Sequence, residues 1–309
     1  MVILVIFIVI LALIATISYV CFRIAFFVRE SDKINKEEYP IPDGDIYKPW
    51  RETMTGWMKE TRALPHQDFS ITSFDGLKLT AKYYECCPDG PIELMFHGYR
   101  GNAERDLCGG VQRCFALNHN AFIVDQRACG NSEGNVITFG INETKDCLAW
   151  VDLMVKHFGP EVKIILTGIS MGASTVLNAA GQPLPDNVIG VLADCGFTSP
   201  KEIIQKVIAE MGLPSNIAYP FVKLGARVYG RFDLDEIASM DALKNCKVPV
   251  IFFHGEDDAY VPCEMSRINY EACPSKKQLV TIPGAGHGLC YPVDPQRYLQ
   301  EMQKFFNNL

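Results

Sequence analysis

The stretch Val162–Ala180, VKIILTGISMGASTVLNAA, decides the fold of this 309-residue chain. Its apolar first part predicts a short buried strand, and its alanine-rich end favours a helix. Between them lies the turn GISMG at 168–172, a G-x-S-x-G pattern that places a serine on a sharp bend. Gly168 and Gly172 are required there because larger side chains would collide with the neighbouring strand and helix. The pattern makes Ser170 a candidate nucleophile.

Short strands and helices alternate on both sides of this unit. Such alternation indicates an α/β fold with a mostly parallel sheet covered on both faces. Ligands of these sheets bind outside the carboxyl ends of the strands, so the residues directly after each strand are the candidate site residues. The predicted strands are Phe69–Ser73, Leu77–Tyr84, Ile92–Phe96, Ala121–Val124, Val162–Thr167, Val188–Ala193, Val248–Phe253 and Gln278–Ile282, and the predicted helices include Glu143–Phe158, Ser174–Ala180, Pro262–Ala272 and Pro295–Phe306.

A serine hydroxyl is a weak nucleophile at neutral pH and needs a neighbouring base. Among six histidines, His287 lies in GAGHG at 284–288, after the last predicted strand and before the last helix. The flanking glycines allow its imidazole to project from the loop toward the strand ends. We therefore predict that His287 is the general base.

The base needs a carboxylate that orients its ring. Three acids, Glu256, Asp257 and Asp258, follow the predicted strand that ends at residue 253. Glu256 comes too early for the chain to have turned back, and spacing does not decide between the two aspartates. Asp194, at the end of another predicted strand, is a further alternative.

Acyl transfer also needs N–H donors for the charge that develops on the carbonyl oxygen. The backbone N–H of Met171, directly after the serine, is one candidate. The second comes from the loop HGYRGN at 97–102, where Gly98 allows a close approach of the backbone. We predict that the N–H of Tyr99 is this second donor.

These motifs together resemble the alpha/beta-hydrolase superfamily over residues 67–307. Its pattern H-G-x-x-D-x-x-V-P implies that Asp258 is the acid of a catalytic triad. Within the superfamily the chain is similar to bacterial membrane-anchored hydrolases of the serine-aminopeptidase-like and prolyl-oligopeptidase-like branch. Ala128 replaces a glycine of the family pattern. The matching stretches are HG at 97–98, DQRACGNSEG at 125–134, GISMG at 168–172, HGEDDAYVP at 254–262 and GAGHG at 284–288.

The resemblance implies a catalytic domain over residues 67–309 with about eight strands and a helical lid. The lid is expected at about 197–241, a segment rich in proline and aromatic residues that interrupts the alternation after the sixth strand. Its aromatic side chains could cover a bound apolar acyl or aryl group. Alternatively, they could simply pack helices together.

The first 22 residues carry no charged side chain. An apolar run of this length is enough for a helix to cross a bilayer. No basic residue precedes this run and no cleavage site is evident, so a transmembrane anchor over residues 1–28 is favoured over a signal peptide. The basic residues that follow it place the rest of the chain in the cytoplasm by the positive-inside rule. These residues are Arg23, Arg29, Lys33 and Lys36.

Residues 29–66 are predicted to be a linker followed by a short helical segment. Apolar residues recur on this segment at helical spacing. Such a face could lie on the membrane surface or pack on the catalytic domain. The residues are Trp50, Met54, Trp57 and Met58.

Charge and cysteine usage exclude several functions. The net charge of −7 leaves no basic excess for nucleic acid. The twelve cysteines contain no C-x-x-C and no zinc spacing, so they predict buried thiols in a reducing compartment, not a redox or metal protein.

The sequence thus predicts a single-pass membrane serine hydrolase, and neither metal nor cofactor is implied. Ser170, His287 and Asp258 would cleave acyl or aryl esters through an acyl-enzyme. A peptidase of the same mechanism, acting on short peptides, is the alternative. A non-catalytic hydrolase-fold binding module is the third possibility, which an intact triad disfavours.

Overall fold

The computed structural model describes residues 1–33 and 37–307, so Lys36 lies outside the described residues. Eight strands form one sheet, as the alternation pattern predicts. They are β1 Gln67–Thr72, β2 Lys78–Tyr84, β3 Ile92–Phe96, β4 Asn120–Asp125, β5 Ile164–Ile169, β6 Val188–Asp194, β7 Val250–Gly255 and β8 Lys277–Ile282. The strand order is β1-β2-β4-β3-β5-β6-β7-β8, and β2 pairs antiparallel with β1 and β4 while the other pairs are parallel. The predicted α/β class with a mostly parallel sheet is confirmed.

Within the described residues, twelve α-helices accompany the sheet. They are α1 Val2–Ala25, α2 Glu30–Lys33, α3 Arg51–Ala63, α4 Ala103–Ala116, α5 Ile141–Phe158, α6 Met171–Ala180, α7 Pro200–Glu210, α8 Ser215–Gly225, α9 Ser239–Ala242, α10 Cys263–Ala272, α11 Cys290–Val293 and α12 Pro295–Phe306. Helix α8 continues into a π-helical turn, Ala226–Gly230, and a 3-10 helix, Asp45–Trp50, precedes α3.

Both faces of the sheet are buried, which explains why its central strands are continuously apolar. On one face, Leu94, Phe122 and Leu166 pack with Trp150 of α5 and with α6. On the other, neighbouring strand residues pack against α4 and α12. Helices on both faces leave the carboxyl ends of the parallel strands open for a site.

One charged residue lies inside the sheet. Glu93 of β3 is fully buried, and its carboxylate accepts hydrogen bonds from Arg113 of α4 and from Thr167 and contacts His119. Burial opposes the charge, but Arg113 and His119 outweigh it and lower the pKa of Glu93 to about 2. The buried pair therefore joins α4 to the sheet.

We expect Glu93→Gln to destabilise the fold by about 3–5 kcal/mol at pH 7, because Arg113 stays buried without its carboxylate. The folded-state pKa of Glu93 is about 2, below the ordinary value of about 4.3, so its contribution is complete above pH 5 and is lost as the pH falls toward 2. Urea unfolding at pH 7 and pH 3 should show the gap to wild type shrinking by roughly half. The exposed Glu161→Gln serves as the control, and a gap independent of pH would contradict this account.

Helix α1 is long and apolar enough to cross a membrane, a property that a signal sequence shares. Its first half is exposed, whereas its end is part of the fold. Phe22, Phe26 and Val28 are buried in a cluster with lid residues, including Phe232, and with Met171 beside the candidate nucleophile. The apolar N-terminal segment thus contributes directly to the core above the sheet ends.

Helix α3 packs on the catalytic domain. Met54 and Met58 are buried, and the Trp57 ring lies against Gly109 of α4 and 5.5 Å from the ring of Tyr291. Of the two interpretations of its apolar face, the structure therefore favours packing over contact with a membrane surface.

Candidate active site

Ser170 occupies the turn between β5 and α6. Its φ of 56° is in the left-handed region, the strained backbone expected of such a bend. A side chain at Gly168 would overlap the backbone of Gly172, and one at Gly172 would overlap the carbonyl of Phe96. The two glycines are therefore needed for close approach, as their positions in the sequence predict.

The structure brings Ser170, His287 and Asp258 together in one hydrogen-bonded chain. His287 Nε2 lies 2.8 Å from Ser170 Oγ, and His287 Nδ1 lies 2.7 Å from Asp258 Oδ2. In the neutral imidazole, Nδ1–H donates to the carboxylate and Nε2 accepts from the hydroxyl. Gly284 and Gly288, with φ of 76° and 66°, shape the loop that carries the histidine. This arrangement can remove a proton from the serine as it attacks.

Asp258 is built to remain a carboxylate. It accepts the backbone N–H groups of Tyr260 and Val261 at 2.9 and 2.8 Å, and its Oδ2 lies 3.3 Å from His254 Nε2. Burial opposes its ionisation, yet hydrogen bonds from His254 and His287 hold the pKa of Asp258 well below its ordinary value. The charge is thus available to orient and stabilise a protonated His287.

The alternative acids lie elsewhere. Asp257 is exposed, and its backbone N–H donates to the carbonyl of Ala285. Asp194 accepts a hydrogen bond from the Tyr298 hydroxyl at 3.1 Å, while its backbone carbonyl accepts the N–H of Ser170. Of the candidate acids, only Asp258 contacts His287 within the described part of the chain.

The loop after β3 runs beside the nucleophile. A side chain at Gly98 would lie 3.5 Å from Ser170 Cβ. His97 is buried and fixes the loop, since Nδ1–H donates to the Gly98 carbonyl and Nε2 accepts the N–H of Gln126. Asp106 accepts the N–H of Gly98 at 3.2 Å. Tyr99 follows in the same loop and lines the cleft at Ser170, and Met171 begins α6 directly after the nucleophile.

A cleft of about 370 Å³ opens at Ser170, a size typical of small-molecule sites. Its walls carry both charge signs, with Asp43, Arg100, Arg105 and Asp106 among the lining residues. Arg105 Nε donates to Asp106 Oδ1 at 2.6 Å, and Arg105 keeps the pKa of Asp106 low although burial opposes the charge. Charged side chains therefore form part of the cleft wall, beside apolar and aromatic side chains such as Met54, Ile169 and Tyr260.

Sequence reasoning missed the part of this wall that comes from the predicted linker. Pro42, Asp43 and Tyr47 line the cleft, and the Tyr47 hydroxyl donates to the backbone carbonyl of His287 at 3.0 Å. Asp106, in the first turn of α4, was missed as well. No motif marks these residues, because their proximity to the site depends on contacts between distant parts of the chain.

The lid does not line this cleft. No residue of 197–241 is among its lining residues, and the aromatic side chains Tyr219 and Phe232 pack instead with Phe22 and Phe26 of the N-terminal segment. Of the two interpretations of the aromatic lid, the structure favours helix packing over a cover for an apolar acyl group.

The Cys195 thiol lies with the triad. Its sulfur, Asp258 and His287 offer ligand atoms within 4.8 Å of one another, a geometry that a metal ion could use. However, burial raises the pKa of Cys195 well above its ordinary value, and both ring nitrogens of His287 already bond Ser170 and Asp258. These atoms are better suited to proton transfer than to metal binding.

Comparison with known proteins identifies the family of this chain. The family model described as the alpha/beta hydrolase family matches residues 94–301. The chain belongs to the alpha/beta hydrolase family. Membership supports hydrolase activity, and the predicted superfamily is confirmed.

Curated proteins from a bacterium and a yeast are similar to this chain over much of their length. The uncharacterized protein YqkD of Bacillus subtilis is 28% identical over 272 residues, which cover 86% of this chain and 88% of the relative. Protein bem46 of Schizosaccharomyces pombe is 29% identical over 204 residues, which cover 64% of this chain and 61% of that protein.

Solved structures share the alpha/beta hydrolase fold at low sequence identity. An esterase of Pyrococcus furiosus superposes with a TM-score of 0.65 at 21% identity, covering 87% of this chain and 96% of the esterase. An acylaminoacyl peptidase of Pyrococcus horikoshii superposes with a TM-score of 0.58 at 15% identity, covering 81% of this chain and 42% of the peptidase. One esterase and one peptidase share the fold, so the fold alone does not select the scissile bond.

Proposed function

We propose that this alpha/beta hydrolase is a membrane-anchored serine hydrolase that cleaves carboxylic esters through a Ser170-His287-Asp258 triad. The observation that carries the proposal is the continuous hydrogen-bonded chain from Ser170 Oγ through both nitrogens of His287 to Asp258 Oδ2. A damaged chain would have favoured a binding module, and this one is intact.

The proposed reaction follows from these contacts. Ser170 Oγ attacks the ester carbonyl carbon while His287 Nε2 takes its proton, and Asp258 stabilises the imidazolium. The backbone N–H groups of Tyr99 and Met171 hold the oxyanion of the tetrahedral intermediate. His287 then protonates the leaving alcohol, and water cleaves the acyl-enzyme by the same proton transfers in reverse.

The proposed anchor is residues 1–28, with the catalytic domain on the cytoplasmic side. The exposed apolar surface of α1, Arg23 in the last turn of α1, and Arg29 and Lys33 after it support this orientation. Protease protection in intact cells tests the side, and cleavage of the catalytic domain by external protease would contradict it.

A peptidase that releases N-terminal residues is the second candidate. Such an enzyme needs a carboxylate near the cleft that binds the free amine of its substrate. Asp106 is engaged by Arg105 and by the N–H of Gly98. Asp43, exposed at the rim of the cleft, is the acid that could serve. Its position gives this alternative a specific residue to test.

We expect kcat/KM for p-nitrophenyl acyl esters to exceed that for aminoacyl p-nitroanilides by more than about tenfold, or 1.4 kcal/mol in the barrier. An acyl chain-length series should favour short chains, because the cleft has a volume of about 370 Å³ and charged side chains form part of its wall. The matched control is Asp43→Asn, which removes the carboxylate that could bind the free amine of a peptide substrate. If anilides are preferred and D43N raises their KM alone, the chain is an aminopeptidase and the ester assignment fails.

A further inference from the structure

Helix α8 of the lid is apolar on more than the face it buries. Tyr219, Val222 and Ala226 are buried under it. A second stripe at helical spacing, Ile217, Phe221, Leu224 and Val228, points outward, and three of these side chains are 61%, 37% and 55% exposed (Ile217, Leu224 and Val228). An exposed apolar stripe of this kind is typical of a surface that meets protein or lipid, and the basic side chains Lys223 and Arg227 lie beside it in the sequence.

The exposed apolar side chains of the domain are concentrated in this part of the lid. After α1, ten large apolar residues are exposed in the described chain, and six of them lie between 211 and 229. Residues 211–230 also contain no acidic side chain. We call these six residues the lid patch: Met211, Leu213, Ile217, Leu224, Val228 and Tyr229. A concentration of exposed apolar side chains of this kind marks a partner or a membrane.

The lid patch is continuous with α1. Gly225 lies directly against the backbone of Ser18, and the lack of a side chain there allows the two helices to approach closely. The Tyr229 hydroxyl donates to the carbonyl of Ala15 at 3.1 Å, and its ring lies 5.1 Å from that of Tyr19. The lid and the apolar helix thus form one packed unit.

This packing fixes how deep the lid lies if α1 spans a bilayer. The part of α1 before these contacts, Val2–Leu13, is only about 18 Å long at the rise of an α-helix, whereas the hydrocarbon core is about 30 Å thick. A span of about 20 residues that begins at Val2 must continue to about Cys21. It therefore includes Ala15 and Ser18, which contact α8.

We propose that the lid patch is inserted among the acyl chains of the bilayer that holds α1. The proposal rests on the proposed anchor, and its occupant is lipid, because the patch continues the surface of α1. The last turn of α1 also binds the loop after β3, since Tyr99 Oη donates to Ala25 O at 2.7 Å and Arg100 to Ile24 O at 2.8 Å. Insertion thereby holds the catalytic cleft next to the membrane surface.

Tryptophan quenching in the full chain tests the insertion. Ile217→Trp and Val228→Trp are reconstituted in nanodiscs of phosphatidylcholine with or without bromine on the acyl chains. Phe74→Trp and Ile268→Trp, exposed apolar sites outside the lid patch, are the controls, and wild-type emission from the native tryptophans is subtracted. We expect emission from the lid tryptophans to fall roughly twofold in brominated lipid, and emission from the controls to stay unchanged.

Emission at 217 and 228 that ignores bromine and is quenched by aqueous iodide like the controls would overturn the insertion. Unquenched emission together with a cross-linked dimer would assign the patch to a second copy, which also overturns it. A chain that does not enter nanodiscs contradicts both anchor and insertion. Fluorophosphonate labelling of the same variants reports on the proposed function separately, so the two failures are distinguishable.

Discussion

Ser170→Ala is expected to lower kcat/KM for ester substrates by about 10⁴- to 10⁶-fold, since the nucleophile is lost and only binding and oxyanion stabilisation remain. The variant should fold normally, because the hydroxyl bonds only to His287 among the described residues. Initial rates with a p-nitrophenyl ester, together with circular dichroism, measure both properties. The exposed Ser70→Ala is the matched control and should retain full activity.

A related prediction concerns Ser170 and His287 as a pair. His287→Ala should cost about as much as Ser170→Ala, and the double variant should be no worse than either alone, because residues that act as a unit are not additive. His66 is exposed, so His66→Ala is the control for removing a histidine away from Ser170 and should retain full activity. Independent, multiplying effects of the two substitutions would show that Ser170 and His287 do not act in one step.

Asp258→Asn is expected to reduce kcat by about 10⁴-fold with little change in KM. An asparagine side chain can donate to His287 Nδ1, which favours the tautomer that presents Nε2–H to Ser170 and so removes the base. It also removes the charge that stabilises the imidazolium. Steady-state kinetics against pH measure the loss, and activity should not return at any pH where the wild type is active.

Asp257→Asn is the matched control for this prediction. The two acids are neighbours in sequence, but the carboxylate of Asp258 contacts His287 while Asp257 is exposed. We expect Asp257→Asn to change kcat by less than about twofold. Equal losses in both variants would contradict the assignment of the triad acid.

The elements that the sequence predicts well are those fixed by local chemistry. The turn at 168–172 can be predicted from its glycines, because a side chain at Gly168 or Gly172 would overlap neighbouring backbone atoms. His287 could be selected because the parallel topology brings the loops after β5 and β8 to one edge of the sheet. Residue spacing did not separate Asp257 from Asp258, and only the family pattern favoured the second.

The polar wall of the cleft could not be predicted. Tyr47 and Asp43 belong to a segment with the composition of a linker, and Arg105 and Asp106 lie in the first turn of α4, where no motif marks them. Their positions depend on the packing of α3 against α4 and on contacts across some 240 positions, such as that from Tyr47 to the carbonyl of His287. Tertiary contacts of this kind leave no local signal.

The aromatic residues of the lid show the opposite problem. Their composition indicated an apolar pocket, but it is equally suited to packing, and the partner that decides between the two is α1. Phe22 and Phe26, read in the sequence as part of a membrane segment, are buried against the lid. The boundary between the apolar N-terminal helix and the rest of the domain is therefore a packed interface.

Mass-spectrometric mapping of a fluorophosphonate adduct tests the central claim most directly. The reagent phosphonylates an activated serine, and the triad predicts a single adduct on Ser170 in the wild-type chain, no adduct in Ser170→Ala and a greatly slowed reaction in His287→Ala. An adduct on a different residue, or labelling that persists in Ser170→Ala, would contradict the account.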